Sequence, residues 1–238
     1  TSVMDSDPYS PTLFAWEIRA GENNGYPVLG GNIEVGGWWT SEGNYDTSWY
    51  DESQTEFSLS TPAQLAGLAY LVKTGTTFEG KTVTLAGNID LDGLKWEPIG
   101  SVDVAFRGTF DGGGYEIHNL HSEVISAYTA VAGLFGQIAQ AHISHVVLAD
   151  DCIVKSSTYG GGIAAYVYNS TIVSCINRAS VELEAPYGYV GGIVGNVLNS
   201  VIDRCENWGP IAGQVQITGN YSVYICLLYT SDAADDLT

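Results

Sequence analysis

The stretch Gly161-Gly-Ile-Ala-Ala-Tyr-Val-Tyr-Asn-Ser-Thr-Ile-Val-Ser-Cys-Ile-Asn177 returns thirty residues later as Gly191-Gly-Ile-Val-Gly-Asn-Val-Leu-Asn-Ser-Val-Ile-Asp-Arg-Cys-Glu-Asn207. Nine of the seventeen positions are identical without a gap, which shared composition does not produce. At an offset of 29, Gly133-Leu-Phe-Gly136 aligns with Gly162-Ile-Ala-Ala165, Ile138 with Val167, Ile143 with Ile172 and Val146 with Cys175. Three tandem units result, each too short to bury a core alone.

Within a unit, Ile163, Val167 and Ile172 sit among Tyr, Asn, Ser and Thr, with no helical run at i, i+3, i+4, i+7. Short β-favouring runs such as Thr171-Ile-Val173 are punctuated by Gly-Gly, Asn-Ser and Asn-Trp-Gly corners. A chain that turns once per unit in short strands stacks each strand on its equivalent about 4.8 Å away, which is a parallel β-helix. Its inward ladders are Leu134/Ile163/Ile193, Ile138/Val167/Val197 and Ile143/Ile172/Ile202. Cys175 follows Ile172 by three residues, so a corner must separate them if both point inward. Asn177 and Asn207 are expected to form an amide ladder at a bend.

Upstream, Lys81-Thr-Val-Thr-Leu85 with Ile89-Asp-Leu91, and Phe106 to Ile117, read as two less regular coils. Before them, Thr61-Pro-Ala-Gln-Leu-Ala-Gly-Leu-Ala-Tyr-Leu-Val72 reads as a helix with Thr61 as N-cap, Pro62 at the first helical position and Gln64 completing a capping box. Leu65, Leu68, Ala69 and Val72 form its apolar stripe, and Gly75 ends it. A β-helix exposes apolar cross-section and strand edges at its ends, so this helix is assigned as the N-terminal lid. The expected fold class is therefore all-β, a parallel β-helix solenoid with an N-terminal capping α-helix.

Ser60 to Val72, Phe78-Glu-Gly-Lys-Thr-Val-Thr-Leu85, Asn88-Ile-Asp-Leu91, Trp96-Glu-Pro-Ile-Gly100, Phe106-Arg-Gly-Thr-Phe-Asp-Gly112 and Ala132-Gly-Leu-Phe-Gly136 together resemble the GLUG-motif proteins of bacterial cell surfaces. The ordered match covers roughly residues 57 to 213. The resemblance implies a right-handed, pectin-lyase-like β-helix on a secreted or surface-attached bacterial protein. On this reading residues 1–31 are the tail of a preceding module, 32–59 an aromatic-rich lead-in and 60–225 the helix-capped solenoid. Cys226 to Asp236 matches translated adapter DNA of a sequencing library, so 226–238 is read as a scar and the chain as a fragment open at both ends.

The expected role is a non-catalytic repeat module, a structural stalk or an adhesive, glycan-binding face, with host or microbial glycans or surface proteins as partners and no cofactor. The alternatives are an accessory region of a surface metallopeptidase and a polysaccharide lyase or hydrolase. Related repeats accompany immunoglobulin-A-cleaving zinc metallopeptidases, yet none of the four histidines is followed by Glu, so the His-Glu-x-x-His motif is missing. A net charge of -19, from 27 acidic and 8 basic residues, repels phosphate backbones and argues against nucleic acid. No run approaches the ~20 apolar residues of a membrane span.

Four sets of side chains carry chemistry worth testing. His118-x-x-His121 and His142-x-x-His145 fall in neighbouring coils, and aligning Ile117 with Ile143 stacks the two pairs as a candidate zinc site, against which no Cys or carboxylate recurs in register. Asn88-x-Asp90-x-Asp92-Gly93 resembles the start of a calcium loop but has Ile99 where the bidentate Glu belongs. Asp90, Asp92, Asp111, Asp150 and Asp151 are placed at different registers, unlike the convergent carboxylates of a glycan-cleaving enzyme. Trp38, Trp39, Trp49 and Tyr50 are candidate glycan-stacking aromatics, with a packed lead-in as the competing reading. Cys152, Cys175 and Cys205 are expected to be reduced, because Val146 shares the cysteine register and marks a small buried group.

Overall fold

The computed structural model describes residues 16–17, 28–29, 37–92, 94–125, 130–185, 188–213 and 223–226. Residues 1–37 and 38–238 are separate compact units. In the first, Trp16–Glu17 pairs antiparallel with Val28–Leu29. The remainder of the expected tail segment, 1–31, lies outside the described residues.

The second unit is an all-β parallel solenoid of about five turns. Its longest sheet stacks Glu56–Leu59, Thr82–Leu85, Thr109–Asp111, His142–Ser144, Thr171–Val173 and Val201–Asp203. A second sheet runs from Ile89–Asp90 through Glu116–His118, Val147–Leu148 and Ile176–Asn177 to Glu206–Asn207. His121–Val124, Ile153–Ser156, Ser180–Leu183 and Ile211–Gly213 form a third. Val131–Ala132, Tyr159–Gly161, Gly188–Gly191 and Val223–Cys226 form a fourth, and Phe135–Ala139, Ala164–Tyr168 and Val194–Leu198 a fifth. Cys226, the first residue of the adapter-like tail, closes a strand, while 227–238 lie outside the described residues.

The three inward ladders stand in the expected register. Leu134, Ile163 and Ile193 are fully buried, as are Ile138, Val167, Ile143 and Ile172. The Ile172 column continues back through Phe110 and Val83 to Phe57. Val197, in the coil after Val167, is 40% exposed.

Two kinds of corner explain the repeated polar residues. His145, Ser174 and Arg204 occupy the left-handed region with φ of 49°, 54° and 48°, turning the chain between the Ile172 and Cys175 columns so that both face inward. At the other corner Gln140, Asn169 and Asn199 have φ of 56°, 47° and 51°, a conformation Asn tolerates better than most residues. The serine after each Asn then links the coils. Ser170 Oγ accepts from Ala141 N at 3.0 Å and donates to Tyr168 O, and Ser200 Oγ accepts from Ser170 N at 2.9 Å.

The asparagine ladder is present as well. Asn177, fully buried, donates from Nδ2 to Asn207 Oδ1 at 2.8 Å, donates to Ala179 O and accepts from Ala179 N. Glycine makes this possible, since a Cβ on Gly162 would lie 2.3 Å from Asn177 Oδ1 and one on Gly192 2.1 Å from Asn207 Cγ. In the last two repeats the Gly-Gly pair and the Asn are thus one steric unit, while Leu148 stands in the Asn column of the first.

The lid is α1, Pro62–Lys73, capped by Thr61, whose side chain accepts from Gln64 N. The reciprocal bond differs from the expected capping box: Gln64 Oε1 accepts from Ser60 N, one residue earlier. Leu65, Leu68, Ala69 and Val72 are buried, and so are Ala66 and Gly67 on the opposite side. The lead-in causes this second burial. Asp46 N donates to Ala63 O, Tyr45 stacks on Tyr70 with ring centroids 4.0 Å apart, and a Cβ on Gly67 would lie 1.9 Å from Asp46 O.

Candidate functional site

The expected stacking of the two His-x-x-His pairs does not occur. Ile143 is in register with Phe110 and Ile172, whereas Ile117 is in register with Ile89 and Leu148, so the pairs stand on different sheets. Three of the four imidazoles contact carboxylates instead. His118 Nδ1 lies 3.0 Å from Asp151 and its Nε2 3.3 Å from Glu116, His145 Nδ1 lies 2.9 Å from Asp111, and His121 Nε2 lies 3.3 Å from Glu123. His142 points outward beside Gln140 and Asn169. Among the described residues no three His, Cys, Asp or Glu side chains converge as a metal site.

Two of these pairs join neighbouring coils. The hydrogen bond to Asp151 raises the His118 pKa. Asp151 itself is pushed up by burial, but the Asn119 amide and His118 outweigh burial and hold it below the usual carboxylate range. Asp111 behaves alike, lowered by the Gly113 amide and His145 against its burial. Glu116 is lowered by the hydrogen bond from Arg178, 2.7 Å away.

The oxygens of Asn88 and Asp90, two of the calcium candidates, accept hydrogen bonds, and Gly93 of the proposed loop lies outside the described residues. Asn88 Oδ1 accepts from Glu116 N in the next coil, and Asp90 Oδ1 accepts from Asp92 N and from Asn119 Nδ2. Asp90, Asp111 and Asp151 stand at separate registers, as expected, yet two of them share a partner. Asn119, at φ 54°, gathers Asp90 with its side chain and Asp151 with its backbone N–H, so two acidic groups from coils on either side meet at one residue.

The aromatic candidates divide. Trp49 packs edge-on against Phe57, Tyr50 stacks on Phe57 with centroids 5.4 Å apart, and Trp39 donates from Nε1 to Leu91 O, so these rings bind the lead-in to the solenoid end. Trp38 is 37% exposed beside a small cleft with Thr40, Ser41, Lys73 and Glu97. Within that cleft Glu97 already holds Lys73 at 2.8 Å and accepts from Thr40.

Two outward features carry no counterpart in the sequence reading. Tyr159 and Tyr189 stack at 5.4 Å with rings 9° from parallel, and their spacing of one repeat was the signal available. A polar groove of about 530 Å³ runs across the Asn corner, between Arg107, Gln140 and Asn169 on one side and Thr109 and His142 on the other. It arises because 107, 109, 140 and 142 point outward while Gly108 and Ala141 between them are buried. Arg107 Nη1 donates to Gln140 Oε1 at 2.9 Å, joining two coils.

Cys152, Cys175 and Cys205 are buried thiols. Burial pushes the Cys152 thiol up to about 12, and the hydrogen bond with Cys205, with burial, raises Cys175. The raised thiols of Cys152 and Cys175 are unreactive interior groups, whereas the hydrogen bond from Cys175 lowers Cys205 against its burial.

The chain is 28% identical over 217 residues to Halomucin of Haloquadratum walsbyi. The match covers 83% of this chain and 2% of that protein, so the chain spans a very small part of the curated relative it matches. No family model matches the chain, and no solved structure matches it.

Proposed function

We propose that this chain is a non-catalytic structural module of a secreted or cell-surface bacterial protein, a stiff stalk segment in a longer array. The observation that carries the reading is the coil-on-coil register, in which the same column of residues repeats from Phe57 to Ile202 around one apolar interior. In such a stack each coil is held chiefly by its neighbours, and stiffness extends along the axis with every added unit. The GLUG-like motifs support a surface setting. The likeness to Halomucin supports a module within a much larger chain, since 217 matched residues are 2% of that protein.

Single-molecule pulling, with the module placed between reference domains, tests the mechanical role. Coils are expected to release one after another, each adding roughly 100 Å of contour length for about 30 residues at 3.3–3.6 Å each. Extension at negligible force in one smooth step would refute the stalk. The surface setting is checked by protease shaving of intact cells that express the protein natively. Peptides of this module should appear in the shaved fraction, and their confinement to the cytosol would exclude the setting.

A further inference from the structure

We propose that the corner groove between Arg107, Gln140 and Asn169 and the facing Thr109 and His142 is a binding site for a neutral, hydroxyl-rich chain, an oligosaccharide lying along the solenoid axis. The stalk reading neither requires this site nor depends on it.

The groove spans four coils, from Glu79 and Gly80 to Asn169, a distance of roughly 14 Å at about 4.8 Å per coil. Its volume of about 530 Å³ is that of a small-molecule site, but its walls are amides, a hydroxyl, an imidazole, a guanidinium and a carboxylate. It offers both donors and acceptors, and no large apolar side chain lines it. A peptide would find nowhere to bury its apolar side chains there. Sugar hydroxyls, which both donate and accept, match such a surface.

Arg107 sharpens the case. Lys73, Lys95, Lys155, Arg178 and Arg204 each hold a carboxylate, and Lys81 bonds to the carbonyls of Glu52 and Gln54. Among the described residues, the Arg107 guanidinium has only the neutral amide of Gln140. In a chain of net charge -19, a half-buried guanidinium left with spare donors beside Glu79 presents a donor and an acceptor to one ligand. The same net charge disfavours an anionic polymer, which selects a neutral chain over a uronate.

The test is isothermal titration calorimetry of the full chain with cellohexaose, laminarihexaose and mannohexaose, and with hexagalacturonate as the charged comparison. At least one neutral hexasaccharide is expected to bind with a Kd on the order of 1 mM or tighter. Arg107→Ala should weaken that binding at least about tenfold, while Tyr115→Ala, an exposed position outside the groove, leaves it unchanged. Should Arg107→Ala lower the melting temperature, Asn169→Gly serves in its place, because glycine accepts the φ of 47° at that corner. The proposal is overturned if no neutral hexasaccharide binds at about 10 mM, if the groove variants leave affinity unaltered, or if hexagalacturonate alone binds.

Discussion

Glycine at position 192 is required by an asparagine in the same coil. A methyl group there would meet Asn207 Cγ at 2.1 Å and Cβ at 2.7 Å, all within one side chain. Gly192→Ala is therefore expected to destabilise the solenoid by about 1–3 kcal/mol, the usual cost of overpacking. Asn207→Gly should remove most of that penalty, and a double-mutant cycle by urea denaturation measures the coupling. Additive effects would show that the clash lies elsewhere. The opposite change applies at the left-handed corner. Ser174, half-buried with φ 54°, carries strain that glycine does not, so Ser174→Gly should raise stability by up to about 1 kcal/mol in spite of glycine's greater freedom when unfolded. A lower melting temperature would show that the serine side chain contributes more than its backbone costs.

At the scale of elements, the lid helix differs from an ordinary amphipathic cap because both sides of it are covered. The contact at Gly67 is the decisive one, with the Asp46 carbonyl where a Cβ would stand. Gly67→Ala should displace the lead-in, lower stability by about 1–3 kcal/mol and shift tryptophan emission to the red as Trp49 loses its cover. Unchanged emission would mean that the lead-in adapts without leaving the helix. The apolar stripe and the Thr61 cap of this helix were legible in sequence, and so were the columns through Ile143, Ile172 and Ile202, because residue identities recur at a fixed offset in those columns. The histidine alignment failed for a physical reason. Along the column Thr82, Thr109, His142, Thr171 and Val201 the coils advance by 27, 33, 29 and 30 residues, so corners absorb length and a single matched isoleucine does not fix register. The groove was illegible because its walls are set by which side of a corner each residue faces, and the shared amide chemistry of Gln140 and Asn169 does not by itself show that they line one groove.

Across the whole molecule, outward charges are organised coil to coil. Glu123, Lys155 and Glu182 stand in one column, with Lys95 on Glu123 at 3.2 Å, and such exposed pairs contribute little individually. The cross-coil histidine and carboxylate pairs impose a pH window. His118 has its pKa raised in the folded chain, so its contribution is complete below about pH 6.5 and is lost as pH rises through the folded value. Asp111, Glu116 and Asp151 have theirs lowered, so their contribution is complete above about pH 4.5 and is lost as pH falls through the folded values. Urea denaturation from acid to alkaline pH should therefore show greatest stability between these limits. His118→Gln should flatten the alkaline side and leave the acid side steep. An alkaline slope identical in the variant would exclude His118 as its source.

The side-chain hydrogen bonds that join neighbouring coils at the serine corner and in the asparagine ladder run the same way, from a donor in the earlier coil to an acceptor in the later one: Ala141 to Ser170, Ser170 to Ser200, Asn177 to Asn207. Each coil therefore offers one complementary surface behind it and another ahead. In genetic terms, a length of coding DNA equal to one coil carries both halves of its own joint. An in-frame duplication of residues 163–192 meets its neighbours on either side as kin, and the shaft lengthens by inheritance without any new contact having to be invented.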